Sequence, residues 1–114
     1  MVALGRRWTV QDRDDDPIYL TEERWDHILE NHPEMADYEA HLQATIRQGR
    51  RRQELLNPRK YRYTHRFDDL PDETNHVVAI VLFGFEVDAT GTTIPNNYVA
   101  TAYFKHIRVK GDRG

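Results

Sequence analysis

The 114-residue chain contains no cysteine and no serine. The first absence removes disulfides and thiolate metal ligands, which fits a reducing compartment without demanding one. The second removes a serine nucleophile, and no threonine stands in a recognisable elbow that would replace it. Long hydrophobic runs are missing too. The longest, Val77 to Phe85, is far short of the roughly 20 residues a membrane-spanning helix needs, and its composition predicts a buried strand. The opening MVALGRRWTVQDRDDD lacks the apolar core of a secretory signal. Phosphate-binding glycine loops, paired CxxC and HExxH are also absent. These absences predict a cytoplasmic protein with no membrane partner. The length predicts one domain, residues 1–114, with an N-terminal arm over 1–17, in which Trp8 and Val10 offer a short strand or a docking contact, and a core over 18–109.

Positive charge is scarce overall, the net charge being −3, but it is unevenly spread. Residues 1–46 hold 4 Arg/Lys against 11 Asp/Glu, whereas residues 47–66 hold 8 basic residues against Glu54 alone. Half of the cationic charge therefore sits in one twenty-residue stretch, a footprint suited to phosphate. A solvated basic strand edge that deters aggregation would leave the same mark.

Periodicity divides the chain into helical and extended parts. Thr21 is a good N-cap, Glu22 and Glu23 complement the helix dipole, and Trp25, Ile28, Leu29 and His32 form one helical stripe. Pro33 predicts that this first helix ends near His32. A second is expected from about Ala36 to Gln48, stopped by Gly49. Beyond it come a strand over Gln53–Leu56, a turn at Asn57-Pro58, and a strand in which Tyr61, Tyr63, His65 and Phe67 alternate with Arg62, Thr64 and Arg66. His76–Val87 reads as the central strand. Tyr98–Val109 reads as the last, with Val99, Thr101, Tyr103, Lys105 and Ile107 on one side and Ala100, Ala102, Phe104 and His106 on the other. The expected fold is α+β: two N-terminal helices packed on one face of a four-stranded, mostly antiparallel sheet whose other face stays partly open.

His27, His32 and His41 invite a test for metal binding. The spacing of five residues places His27 and His32 about 140° apart on an ideal helix, off any common ligand face. No metal and no cofactor is expected. The remaining groups suit phosphodiester chemistry. RNA can be cut by activating its own 2′-hydroxyl, given a base of near-neutral pKa, a proton donor for the leaving oxygen, and cations or donors for the phosphorane. If Tyr61, Tyr63 and Phe67 face the helices, then Arg62, Thr64 and Arg66 face outward, joined by Thr101, Tyr103 and Lys105 if the last strand is oriented to match. Structural roles are open to the same residues: His32 as a buried cap, His27 as a surface histidine, Arg62 and Arg66 as edge charges, Thr101 and Tyr103 as strand formers. His41, His65, His76 and His106 fit ordinary roles better still.

The segment IYLTEERWDHILENHPEM is more specific. With Trp25, His27, Ile28, His32, Pro33 and Glu34, then Tyr61, Arg62 and Tyr63, then Val99, Thr101, Ala102 and Tyr103, it resembles small bacterial and phage-associated proteins of the superfamily grouping barnase, EndoU, colicin ribonucleases and RelE. The likeness covers roughly residues 18–107. It implies a metal-independent endoribonuclease of the bacterial toxin type with its site on the open sheet face. The catalytic candidates are His27, Arg62 and Thr101, with His32 and Tyr103 beside them; Arg52, Tyr61, Arg66 and Lys105 are the substrate-binding candidates. RNA is the expected partner, and a cognate antitoxin or immunity protein would accompany a toxin. The competing expectation is a catalytically inactive nucleic-acid- or protein-binding module of the same fold.

Overall fold

Thr21 begins the first helix as its N-cap, its hydroxyl accepting the Arg24 N–H at 3.0 Å, in a computed structural model that describes residues 5–108. Two strands precede that helix, β1 (Arg6–Gln11) and β2 (Pro17–Thr21). Then follow α1 (Glu22–Asn31), a 3-10 turn (Pro33–Asp37), α2 (Glu39–Gln48), β3 (Arg50–Gln53), β4 (Lys60–Arg66), β5 (His76–Leu82), the short β6 (Phe85–Val87) and β7 (Thr93–Pro95), and β8 (Tyr98–Lys105). Six strands form one curled sheet in the order β1-β2-β8-β5-β4-β3, and β6 and β7 form a separate hairpin. Within the large sheet only β2 and β8 run parallel.

One face of the sheet carries the core. Trp25 and Ile28 of α1, Met35 of the 3-10 turn, and Leu42 and Ile46 of α2 pack with Tyr63, Val77, Ala79, Val81, Val99 and Ala102. Each fully buried Ile or Leu in that set contributes about 1.5–3 kcal/mol over its exposed state. The end of α2 comes very close to β4. A Cβ on Gly49 would lie 2.8 Å from the Thr64 carbonyl oxygen, so only glycine lets the helix stop there and turn straight into β3.

The α+β class and the helix-covered face are as expected, but the layout differs. The helices are not N-terminal, and the sheet has six strands rather than four. The stretch expected as an arm holds β1, whose RRWTVQ offers only Trp8 and Val10 to the interior. Its attachment is polar: Arg7 donates to both carboxylate oxygens of Glu39 (2.6 and 2.8 Å) and to Glu22 (2.8 Å), and Trp8 Nε1 donates to Glu39 (2.8 Å). The second helix starts at Glu39, after the Pro33 3-10 turn. The strand expected at Gln53–Leu56 is instead β3, Arg50–Gln53, and Leu55 and Leu56 are fully exposed.

The expected strand His76–Val87 breaks at Gly84, whose carbonyl accepts the Asn96 N–H (2.8 Å). Phe85 and Val87 leave the sheet and pair with Thr93–Pro95 inside what reads as a loop. The last strand stops at Lys105, because the Ile107 N–H bonds the Asn75 side chain (2.8 Å) rather than a strand; Val109 lies outside the described residues. A bulge leaves Ala100 unpaired between Thr101, opposite Ile80, and Val99, opposite Val81. Strict alternation is therefore lost, and Val99 joins Ala102 on the core face while Thr101 and Tyr103 point away. Among the described residues no helix is long and apolar enough to cross a membrane.

Candidate functional site

The strand registers set out the other face of the sheet in three rows. Arg52 stands opposite Arg62, Arg62 opposite Ile80, and Ile80 opposite Thr101. The next row is Arg50, Thr64, Val78 and Tyr103, and the third is Arg66, His76 and Lys105. Adjacent strands are spaced by about 4.8 Å, so Arg62 and Thr101, two strands apart, are separated by about 10 Å of backbone. This is about the span of one nucleotide with its phosphates. Val78 and Ile80 are buried although they lie on this open side, shielded by the longer side chains that flank them. The result is a cationic and hydroxylic surface over a buried apolar strip. An open pocket of about 570 Å³ is lined by Arg50, Arg52, Arg62, Thr64, Arg66 and His76, together with Arg13, Gln48, His65 and Ile107.

The charges of this face are weakly neutralised. Arg62 reaches Glu54 only at 3.6 Å and Arg66 reaches Asp68 at 3.7 Å, exposed pairs worth little. Arg62 Nε is buried without a hydrogen-bond partner among the described residues. Arg51, one residue along from Arg50 and Arg52, points to the opposite side. Its guanidinium donates to Asp12 (2.8 Å) and Asp16 (2.6 Å), and the Tyr63 hydroxyl donates to the same Asp12 carboxylate (2.5 Å). Burial pushes Asp12 up, but Tyr63, the Asp16 and Asp14 amides and Arg51 outweigh it and hold the carboxyl below its ordinary range. Burial, and then Asp12, push the Tyr63 phenol well above its ordinary value. Strand alternation thus splits the basic stretch, with Arg51 consumed by a structural cluster and four arginines left on the open face.

Helix α1 borders this face along β8. Past Tyr98, where Tyr19 pairs with it, β8 has no strand neighbour on its β2 side among the described residues, and α1 takes that place. Arg24 donates to the Ala100 carbonyl at the bulge (2.5 Å), and the His32 ring lies 5.7 Å from the Tyr103 ring. Between these anchors lies His27, three residues after Arg24 and so on the same flank of the helix. His27 is exposed and its ring contacts Asn31 (3.4 Å). No hydrogen bond among the described residues joins it to Arg62 or Thr101. His32 is half-buried, 3.7 Å from the Glu34 carboxylate.

Of the residues singled out in the sequence, the sheet brings together Arg52, Arg62, Arg66, Thr101, Tyr103 and Lys105, and α1 brings His32 to their edge. Tyr61 does not join them. It lies on the core side, with its ring 4.5 Å from Phe83 and the Arg51 guanidinium 4.7 Å above it. His76 is the residue that sequence reasoning passes over. Its sign is positional: it shares parity with Val78 and Ile80, the outward residues of β5. Among the described residues no three His, Asp or Glu side chains are grouped so that they could hold a metal ion. Comparison with protein-family models, curated proteins and solved structures found no match to this chain.

Proposed function

We propose that this protein is a metal-independent endoribonuclease that cuts single-stranded RNA by attack of the 2′-hydroxyl on its own phosphodiester. The observation that carries the reading is the open-face row Arg52–Arg62–Ile80–Thr101. It supplies cations for the phosphates and a hydroxyl donor for a non-bridging oxygen. The Arg62 guanidinium, partly exposed and only loosely paired with Glu54 at 3.6 Å, is a cation available to a phosphorane oxygen. His27 and His32 on the α1 border supply imidazoles for proton transfer, and Tyr103, against His32, is a further donor. The likeness of IYLTEERWDHILENHPEM to toxin-type ribonucleases supports the same chemistry.

The test is incubation of the pure protein with a single-stranded RNA in excess chelator. The expected products carry 2′,3′-cyclic phosphate and 5′-hydroxyl ends. Intact RNA together with salt-sensitive binding would favour a non-catalytic binding module instead.

A further inference from the structure

A ribonuclease of this kind needs a neutral base, and a histidine set among arginines can supply one if its tautomer is fixed. We infer that His76 is the general base of this site, its Nδ1–H held by Asn75 so that Nε2 is the free acceptor on the open face. The inference rests on the ribonuclease reading and names a residue for its first step.

The tautomer follows from a chain of hydrogen bonds. The Ile107 N–H donates to Asn75 Oδ1 (2.8 Å), and Asn75 Nδ2 donates to the Ile107 carbonyl (3.0 Å). A backbone donor and a backbone acceptor on the same residue allow the Asn75 amide one orientation only. His76 Nδ1 lies 2.7 Å from that same Oδ1, so Nδ1 must carry the proton and donate it. Nε2 then bears the lone pair. In register, His76 stands between Arg66 on β4 and Lys105 on β8, on the side of the sheet that holds Arg62 and Thr64. Tyr103, diagonal to it across β5 and β8, is about 7–8 Å away and leads to His32 on the far border. His65 on β4 and His106 after β8 are the other titratable groups near the ring. Burial, and then the charges of Arg66, His106 and His65, hold His76 below its ordinary value. The same surroundings favour the neutral imidazole, the form a base needs.

The step balances with these groups alone. His76 Nε2 takes the 2′-hydroxyl proton as the 2′-oxygen bonds to phosphorus. The bond from phosphorus to the 5′-oxygen breaks with its electron pair, and a protonated imidazole of α1 returns a proton to that oxygen. The products are a 2′,3′-cyclic phosphate and a 5′-hydroxyl.

The experiment is a pH–rate profile of RNA cleavage in excess chelator for the full chain, His76→Ala and Asn75→Asp. Each is also titrated with a 2′-O-methyl oligonucleotide, which binds but lacks the attacking hydroxyl. His76→Ala should lose about 10²–10⁴-fold in rate while binding the oligonucleotide within about threefold. Asn75→Asp keeps the acceptor for Nδ1–H and adds a negative charge, so the acid limb of the profile should move up by about 1 pH unit. A merely structural role for Asn75 would not move that limb. Wild-type cleavage that persists within threefold in His76→Ala, or an unmoved limb in Asn75→Asp, overturns the His76 assignment and leaves the ribonuclease reading standing. Failure of the wild type to cut overturns both. If His76→Ala does not fold, the Asn75→Asp limb alone decides.

Discussion

Arg51 and Arg62 face each other's neighbours across β3 and β4, belong to the same basic stretch, and have opposite fates. Arg51 lies on the core side, gripped by Asp12 and Asp16 and lying over Tyr61 and Phe83. Arg62 lies on the open side, 3.6 Å from one glutamate and with its Nε unbonded among the described residues. A count of charges along the chain treats the two alike. Alternation along a strand separates them, and the acidic turn that follows β1 decides which arginine serves the fold. The surplus positive charge of the open face exists because Asp12, Asp14 and Asp16 are spent on the other side.

The largest effect expected concerns function. His27→Ala should lower RNA cleavage by about 10²–10⁴-fold and leave the denaturation midpoint nearly unchanged, since the side chain is exposed. His32→Ala should cost stability as well, because its half-buried ring packs against Tyr103. Equal cleavage by wild type and His27→Ala would shift the proton-transfer role on the helix border to His32.

The next effect separates the two arginines by stability. Arg51→Met leaves the buried Asp12 without its guanidinium and should cost about 3 kcal/mol in urea unfolding. Arg62→Met should stay within about 0.5 kcal/mol of wild type. Similar losses for both would erase the distinction between the faces.

Tyr63→Phe probes the same distinction at smaller scale. Losing a hydrogen bond to a charged carboxylate should cost about 2 kcal/mol. It should also change the acid limb of stability. Asp12 titrates below its ordinary range, so its contribution is complete above that range and disappears as pH falls through the folded value. Without the phenol, Asp12 titrates higher in the fold and that contribution shrinks. Acid unfolding that is unaltered in Tyr63→Phe would mean that Asp12 is not the group protecting the fold at low pH.

The smallest effect is electrostatic. Removing one cation that pairs with a phosphate of single-stranded RNA should reduce the slope of log binding constant against log salt by about 0.7. Arg52→Ala and Arg62→Ala should each show that change, and a double variant roughly twice as much. An unchanged slope would return these residues to the role of edge charges.

What is legible in the sequence depends on the kind of signal. Helix α1 is readable to its ends, because Thr21 and Pro33 are local instructions. The outward set Arg62, Thr64 and Arg66 follows from period-two alternation in β4. The parity of β8 is not readable throughout, because the bulge at Ala100 is fixed by pairing with β5 and leaves no mark of its own. β1 leaves only a faint mark, Trp8 and Val10 fitting a short strand or a docking contact alike, because an edge strand tied down by Arg7 and Glu39 needs only two apolar residues. The Arg51 cluster is invisible for a related reason: Asp12 and Tyr63 are 51 positions apart, and only the fold makes them partners. His76 escapes notice because its distinction comes from Asn75 and Ile107, which the chain brings together at the end of β8.

On the proposed reading, the open face receives RNA and the helix-covered face does not. NMR of the full chain titrated with a 2′-O-methyl oligonucleotide, following arginine Nε–H and backbone amide signals, separates the two faces without requiring cleavage. Shifts are expected at Arg52, Arg62, Thr64, Thr101 and Tyr103, with Arg51 Nε–H unmoved. Shifts gathered at Arg51, Asp12 and α2, with Arg62 and Thr101 silent, would contradict the assignment of the open face.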